Sequence, residues 1–85
     1  MSYRLIYTRR DEKDIKKLDP SIKKHIGKFL MRLQENPNHY SEKLSDPRIG
    51  AFRYRIGDYR VILDLEGQDI IILRVGHRRE IYRQL

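Results

Sequence analysis

The chain has 85 residues and a formal net charge of +7, from 19 lysines and arginines against 12 acidic residues. That length fits a single domain, residues 1–85, with a small core that buries about 60–65% of the surface its unfolded chain exposes. There is no cysteine, which excludes disulfides, thiolate nucleophiles and cysteine-based zinc or iron–sulfur centres.

Residues 3–7 (YRLIY) alternate weakly, are rich in strand formers, and predict a first strand. Residues 11–18 (DEKDIKKL) predict a short helix, its acidic first turn suited to the helix dipole. Asp19 and Pro20 then read as N-cap and first position of a second helix. Ile22, Ile26, Phe29, Leu30 and Leu33 form one apolar stripe along it, and Asn36–Pro37 stops it. Gly27 costs that helix about 1 kcal/mol relative to Ala, a cost that close approach of the first helix would offset. Residues 36–50 read as a loop. Three strands follow at 51–56, 59–65 and about 70–75, and residues 77–85 form a polar tail with room for a short helix. The fold class is α+β: an N-terminal strand, a helix hairpin, then a three-strand antiparallel meander, with the helices on one face of the sheet.

The longest apolar run, residues 70–73, is far short of the ~20 residues of a membrane-spanning helix. MSYRLIYTRR has neither the apolar stretch nor the small-residue cleavage site of a signal peptide. A soluble, cytoplasmic domain is expected. The isoelectric point near 9.9 makes a nucleic-acid partner worth proposing. Residues 48–85 hold eight arginines and no lysine. Arginine is the side chain that forks onto phosphates and stacks on bases.

Gly57 and Asp58 make a two-residue hairpin turn. This pairs Ile56 with Tyr59, Arg55 with Arg60, Tyr54 with Val61 and Arg53 with Ile62. Alternation then puts Phe52, Tyr54, Ile56, Tyr59, Val61, Leu63 and Leu65 under the helices, and Arg53, Arg55 and Arg60 on the other face. Arg55 and Arg60 face each other directly, which is unfavourable, and no acidic partner is evident there. For the last strand, a guanidinium in the core is costly. The register that avoids it buries Ile71, Leu73 and Val75 and adds Arg74 and Arg78 to the arginine face, with Tyr82 within reach. A single such arginine is an ordinary solvated charge. Five converging without matching acids point to a surface that binds phosphates.

Other candidates are weaker. His25 and His39 read as packing or surface histidines, and three scattered histidines do not make a metal site. No metal and no cofactor are expected. His77, at the end of the last strand beside the arginine face, reads either as a general base or as a structural residue. Lys24, Lys28 and Arg32 form a basic stripe opposite the apolar face of the second helix, either solvated or in contact with an RNA backbone.

The chain resembles the RelE/ParE superfamily of bacterial and archaeal toxins, in its RelE-like branch. The resemblance spans nearly the whole chain. It rests on YRLIYT, KKLDPSIKKHI, Lys43 with Leu44, and FRYRIGDYRVILDLEGQDIIILRVGHRREIYR, whose GDYRVI and ILRVGHRREIY are the most specific parts. It implies a ribosome-dependent endoribonuclease that cuts messenger RNA, held inactive by a small, partly disordered, RelB-like antitoxin in a hetero-oligomer. It also implies that Arg53, Arg55, Arg60, Arg78 and Tyr82 line the site. Some active members carry lysine where this chain has Arg53 or Arg55, and other branches place a histidine where His77 stands. In the implied metal-independent reaction, a 2′-hydroxyl attacks its own phosphate. Arg60 and Arg78 would stabilise the charge, Arg53 and Arg55 would position the substrate, and Tyr82 or His77 would move the proton. ParE-like members share the fold but poison DNA gyrase without catalysis. That, or a degenerate RNA-binding homologue, is the alternative.

Overall fold

The computed structural model describes residues 3–44 and 51–81. Its elements are β1 (Arg4–Tyr7), α1 (Arg9–Lys16), α2 (Pro20–Glu35), α3 (Pro37–Tyr40), β2 (Glu42–Lys43), β3 (Phe52–Ile56), β4 (Tyr59–Glu66), β5 (Asp69–His77) and α4 (Arg78–Ile81). The sheet has five strands in the order β1-β5-β4-β3-β2. β1 runs parallel to β5, and the other pairs are antiparallel. Among the described residues no helix is long and apolar enough to cross a membrane.

The helices follow the sequence closely. Asp19 precedes α2 in an extended conformation and Pro20 opens the helix, but the Asp19 side chain makes no cap hydrogen bond. Its backbone carbonyl accepts from Lys23 N–H at 2.9 Å. The apolar stripe of α2 buries Ile26, Leu30 and Leu33. Gly27 is exposed, and among the described residues a Cβ built there would meet nothing within 4 Å, so none of their elements approaches closely at this point.

The stretch after α2 is more ordered than its composition predicts. Asn36 ends α2, and its side-chain oxygen accepts from His39 N–H at 3.3 Å, which caps α3. Pro37 sits in the first turn of α3, where its missing N–H costs nothing. β2 then pairs with β3, Glu42 opposite Arg53 and Lys43 opposite Phe52. The Leu44 N–H to Ala51 carbonyl bond, 2.9 Å, extends that pairing.

The β3–β4 hairpin has the expected register, with Arg55 opposite Arg60 and Arg53 opposite Ile62. Gly57 adopts φ +58, the left-handed conformation that a glycine-first hairpin turn requires. The β4–β5 pairing departs from a simple alternation. Ile62 is opposite Arg74 but Leu63 is opposite Ile72, so Leu73 is an extra, bulged residue. The expected burial of Ile71 and Leu73 is therefore corrected. Ile70, Ile72 and Val75 are the buried residues of β5, and Ile71 and Leu73 are half-buried.

One core lies between α2 and the sheet. It joins Ile26, Leu30 and Leu33 to Tyr54, Ile56, Val61, Leu63, Ile70, Ile72 and Val75, with Ile15 and Leu18 packed against it. Ile62 and Ile81 are also buried, outside this cluster.

Candidate nucleic-acid interface

The sheet face turned away from that core carries the arginines. Val61 and Val75 are core residues opposite each other, so their neighbours Arg60 with Gly76, and Ile62 with Arg74, project to the other side. Arg53 and Arg55 join them through the β3–β4 register, and Glu42 through its pairing with Arg53. Ile81 lies over Gly76 on this face, its Cδ1 3.5 Å from where a Gly76 Cβ would be. α4 therefore folds across the end of the arginine face, over a small apolar patch.

The arginines are held by specific partners, which corrects the expectation of a face without matching acids. Glu42 bridges two of them. Arg53 Nη2 donates to Glu42 Oε2 at 3.0 Å, and Arg55 Nε lies 3.5 Å from Oε1. The hydrogen bond from Arg53 and the charge of Arg55 hold the Glu42 carboxyl below the usual glutamate range, with Arg60 adding to the effect. Arg74 is drawn to the sheet edge by Asp14 of α1. Its Nε and Nη2 reach the two Asp14 oxygens at 3.2 and 3.3 Å, and Asp14 also accepts from Val75 N–H at 3.1 Å.

Arg60 and Arg78 are each tied to the β3–β4 turn. Arg60 Nη1 donates to the carbonyls of Gly57 (2.7 Å) and Tyr59 (2.9 Å). Arg78 N–H donates to the Asp58 carbonyl at 2.7 Å, and its Nε lies 3.7 Å from the Asp58 carboxylate. Arg60 Nε is buried and has no hydrogen-bond partner among the described residues. Arg55 is directly across from Arg60 on the face, and Arg78 is anchored to the turn that ends it.

His77 does not belong to this face. It pairs with Tyr59, on the helix side of the sheet, and its ring meets the Tyr59 ring edge-on at 5.5 Å. Its Nδ1 accepts from Arg79 N–H at 3.2 Å, which caps α4. His77 is two positions on from the core residue Val75, so the same alternation that exposes Arg74 turns His77 away. Tyr82 lies outside the described residues.

Lys24, Lys28 and Arg32 are exposed on α2, whose inner side covers the core face. They are therefore on the opposite side of the molecule from Arg53, Arg55 and Arg60. Arg32 sits over the Phe29 ring at 5.0 Å. His25 and His39 are exposed and rest on Phe29 and Tyr40, at 4.9 and 4.8 Å between ring centres. Among the described residues no group of three or more His, Asp or Glu side chains is placed to hold a metal ion.

Sequence reasoning missed Glu42 and Asp14. Glu42 falls in a stretch with no hydrophobic alternation, so nothing announced a strand that would carry it across from Arg53. Asp14 lies on the expected first helix, and only the path of β1 beside β5 brings that helix to the Arg74 edge.

A family model described as the ParE toxin of type II toxin–antitoxin systems matches residues 2–82. Toxin RelG of Mycobacterium tuberculosis is 33% identical over 87 residues, covering 99% of this chain and all of that protein. Toxin RelE3 of Methanocaldococcus jannaschii is 31% identical over 83 residues, 93% of this chain and 94% of that one. The toxin–antitoxin complex RelBE2 from Mycobacterium tuberculosis contains a chain that superposes with a TM-score of 0.84 at 28% identity, over 92% of this chain and 100% of that one. Sequence and fold agree along almost the whole length, and the chain belongs to the RelE/ParE superfamily, as a type II toxin–antitoxin toxin of the RelE family.

Proposed function

We propose that the chain is a ribosome-dependent endoribonuclease that cuts messenger RNA and so stops translation. The observation that carries this reading is that Arg53, Arg55 and Arg60 share one sheet face and that Arg60 and Arg78 are both tied to the turn at its end. In the reaction, a 2′-hydroxyl loses its proton and attacks the adjacent phosphate, and the 5′-oxygen leaves with a proton. The products are a 2′,3′-cyclic phosphate and a 5′-hydroxyl. The added negative charge on the five-coordinate phosphorus is what preorganised guanidinium groups stabilise. Arg60 and Arg78 take that role, and Arg53 and Arg55 grip the strand. These cations supply the charge stabilisation that a metal ion would otherwise give, so the proposed reaction is metal-independent. Arginine stays protonated and is a poor base. Proton transfer is assigned to Tyr82, which follows Ile81 directly, and not to His77, whose ring packs on Tyr59 across the sheet.

A site without a dedicated strong base depends on geometry. The ribosome supplies it by holding the message in a near-attack conformation. Lys24, Lys28 and Arg32, on the opposite side, fit a backbone contact that helps docking but not chemistry. The partner in the resting cell is a cognate RelB-like antitoxin. The RelBE2 chain of similar fold is held in such a complex, and the net charge of +7 favours an acidic, wrapping segment.

The matched ParE description favours a second reading, a non-enzymatic inhibitor of DNA gyrase. Inducing the chain in cells and mapping messenger RNA ends on ribosomes alongside DNA double-strand breaks separates the two. The proposal expects new RNA ends within open reading frames and intact DNA. Breaks without new RNA ends would reverse the order.

A further inference from the structure

Glu42 stands where a substrate anion would have to go. Its carboxylate divides its two oxygens between Arg53 and Arg55, which project side by side from β3. A carboxylate and a phosphodiester are equivalent ligands for a guanidinium, since both offer a pair of charged oxygens to the same fork of N–H donors. The Glu42 side chain is 51% exposed and that of Arg53 22% exposed. The Arg55 side chain is 57% exposed, so the ion pair lies open to solvent at Glu42 and Arg55, where an incoming anion can reach it without opening the fold. β2 keeps its place through backbone pairing with β3 and the Leu44–Ala51 bond, so the carboxylate can swing away while the strand stays.

We propose that Glu42 is a resident anion that competes with RNA phosphate for Arg53 and Arg55, so that the arginine face engages only a strand able to displace it. The inference rests on the reading of this face as an RNA-binding surface and adds how that surface discriminates. A glutamate is ionised at neutral pH, and Arg53 and Arg55 hold this one further below its usual range, so the competition is present there. A free, flexible RNA brings its phosphates one at a time and meets an occupied site. A strand fixed on a ribosome presents several phosphates at once, and the ordering entropy that would favour the resident carboxylate is already lost. Glu42 thereby adds to the dependence on the ribosome.

The test uses the full chain and a fluorescent single-stranded oligodeoxynucleotide, which has the phosphates but no 2′-hydroxyl and is not cut. Glu42→Gln keeps the shape and removes the charge. It should bind the oligonucleotide about three- to ten-fold more tightly than wild type near 0.1 M salt, with the gap closing as salt rises. Glu42→Ala should change binding in the same direction, and both should melt within a few degrees of wild type, because the β2 pairing uses no Glu42 side-chain atom. In an Arg53→Ala, Arg55→Ala background the gain from Glu42→Gln should vanish. Unchanged or weaker binding by both Glu42 variants, with Arg55→Ala still weakening the wild type, overturns the resident-anion proposal and leaves the arginine face intact. If Arg53→Ala and Arg55→Ala bind as well as wild type, the face is not a phosphate site and the underlying reading falls as well.

Discussion

Arg60 is tied to its own hairpin. Two carbonyls of the turn, Gly57 and Tyr59, fix Nη1, and the buried Nε is left with a donor to offer. A buried donor without a partner costs about 1–3 kcal/mol, and such groups concentrate where a ligand completes them. His77 is held just as firmly, but for structure: an edge-on contact with Tyr59 and a cap on α4. His77→Ala should therefore lower stability by about 1 kcal/mol, the scale of a lost cap, and leave single-turnover cleavage of ribosome-bound message nearly unchanged. Tyr82→Phe should do the reverse, and loss of cleavage on His77→Ala alone would return the proton to the histidine. Among the described residues nothing packs against Gly27. Replacing it with Ala should raise the midpoint of denaturant unfolding by the equivalent of about 0.5–1 kcal/mol, and a loss would mean that the site is not open. The Glu42 pair has a pH signature of fixed sign. Its carboxyl is lowered in the folded state, so the pair's stability is present above the usual glutamate range and fades as acid protonates it.

At the scale of elements, legibility followed turn chemistry. The β3–β4 register was readable because a two-residue, glycine-first turn allows one pairing, and that alone put Arg53, Arg55 and Arg60 on one face. The β5 register was not readable below Arg74. Residues 70–73 are all apolar, so no pattern marks which of them is bulged, and the sheet settles it through Leu63 opposite Ile72. Above the bulge the expected parity holds, which is why Arg74 faces as expected while Ile71 and Leu73 do not. The acid that meets Arg74 shows how another element can hold a residue of the face in place. Asp14 is 10% exposed and Arg74 20%. With Val75 N–H the pair clips α1 to the free edge of β5, where β1 pairing has ended. Asp14→Ala should cost about 2–3 kcal/mol, the scale of charge-assisted bonds broken in a half-buried site, read as a lower unfolding midpoint. A change below about 0.5 kcal/mol would show the clip to be ornamental.

On the scale of the whole molecule, two of the basic surfaces lie with the α2 layer and the sheet between them. The arginine face is preorganised by backbone carbonyls and carboxylates. The Lys24–Lys28–Arg32 stripe is a solvent-facing line of cations, with Arg32 resting on Phe29. If chemistry belongs to the first and docking to the second, substitutions should separate them. The central claim is that Arg60 and Arg78 stabilise charge on a phosphate in transit. Single-turnover cleavage of message on purified, programmed ribosomes measures it most directly, with wild type, Arg60→Ala, Arg78→Ala and Lys28→Ala compared at saturating toxin. The account predicts losses of about 100-fold or more for each arginine variant, the scale of one missing donor at a developing charge, and a near-wild-type rate for Lys28→Ala, with only weaker and less salt-dependent association. Folded Arg60→Ala and Arg78→Ala proteins that cut at wild-type rates would contradict it.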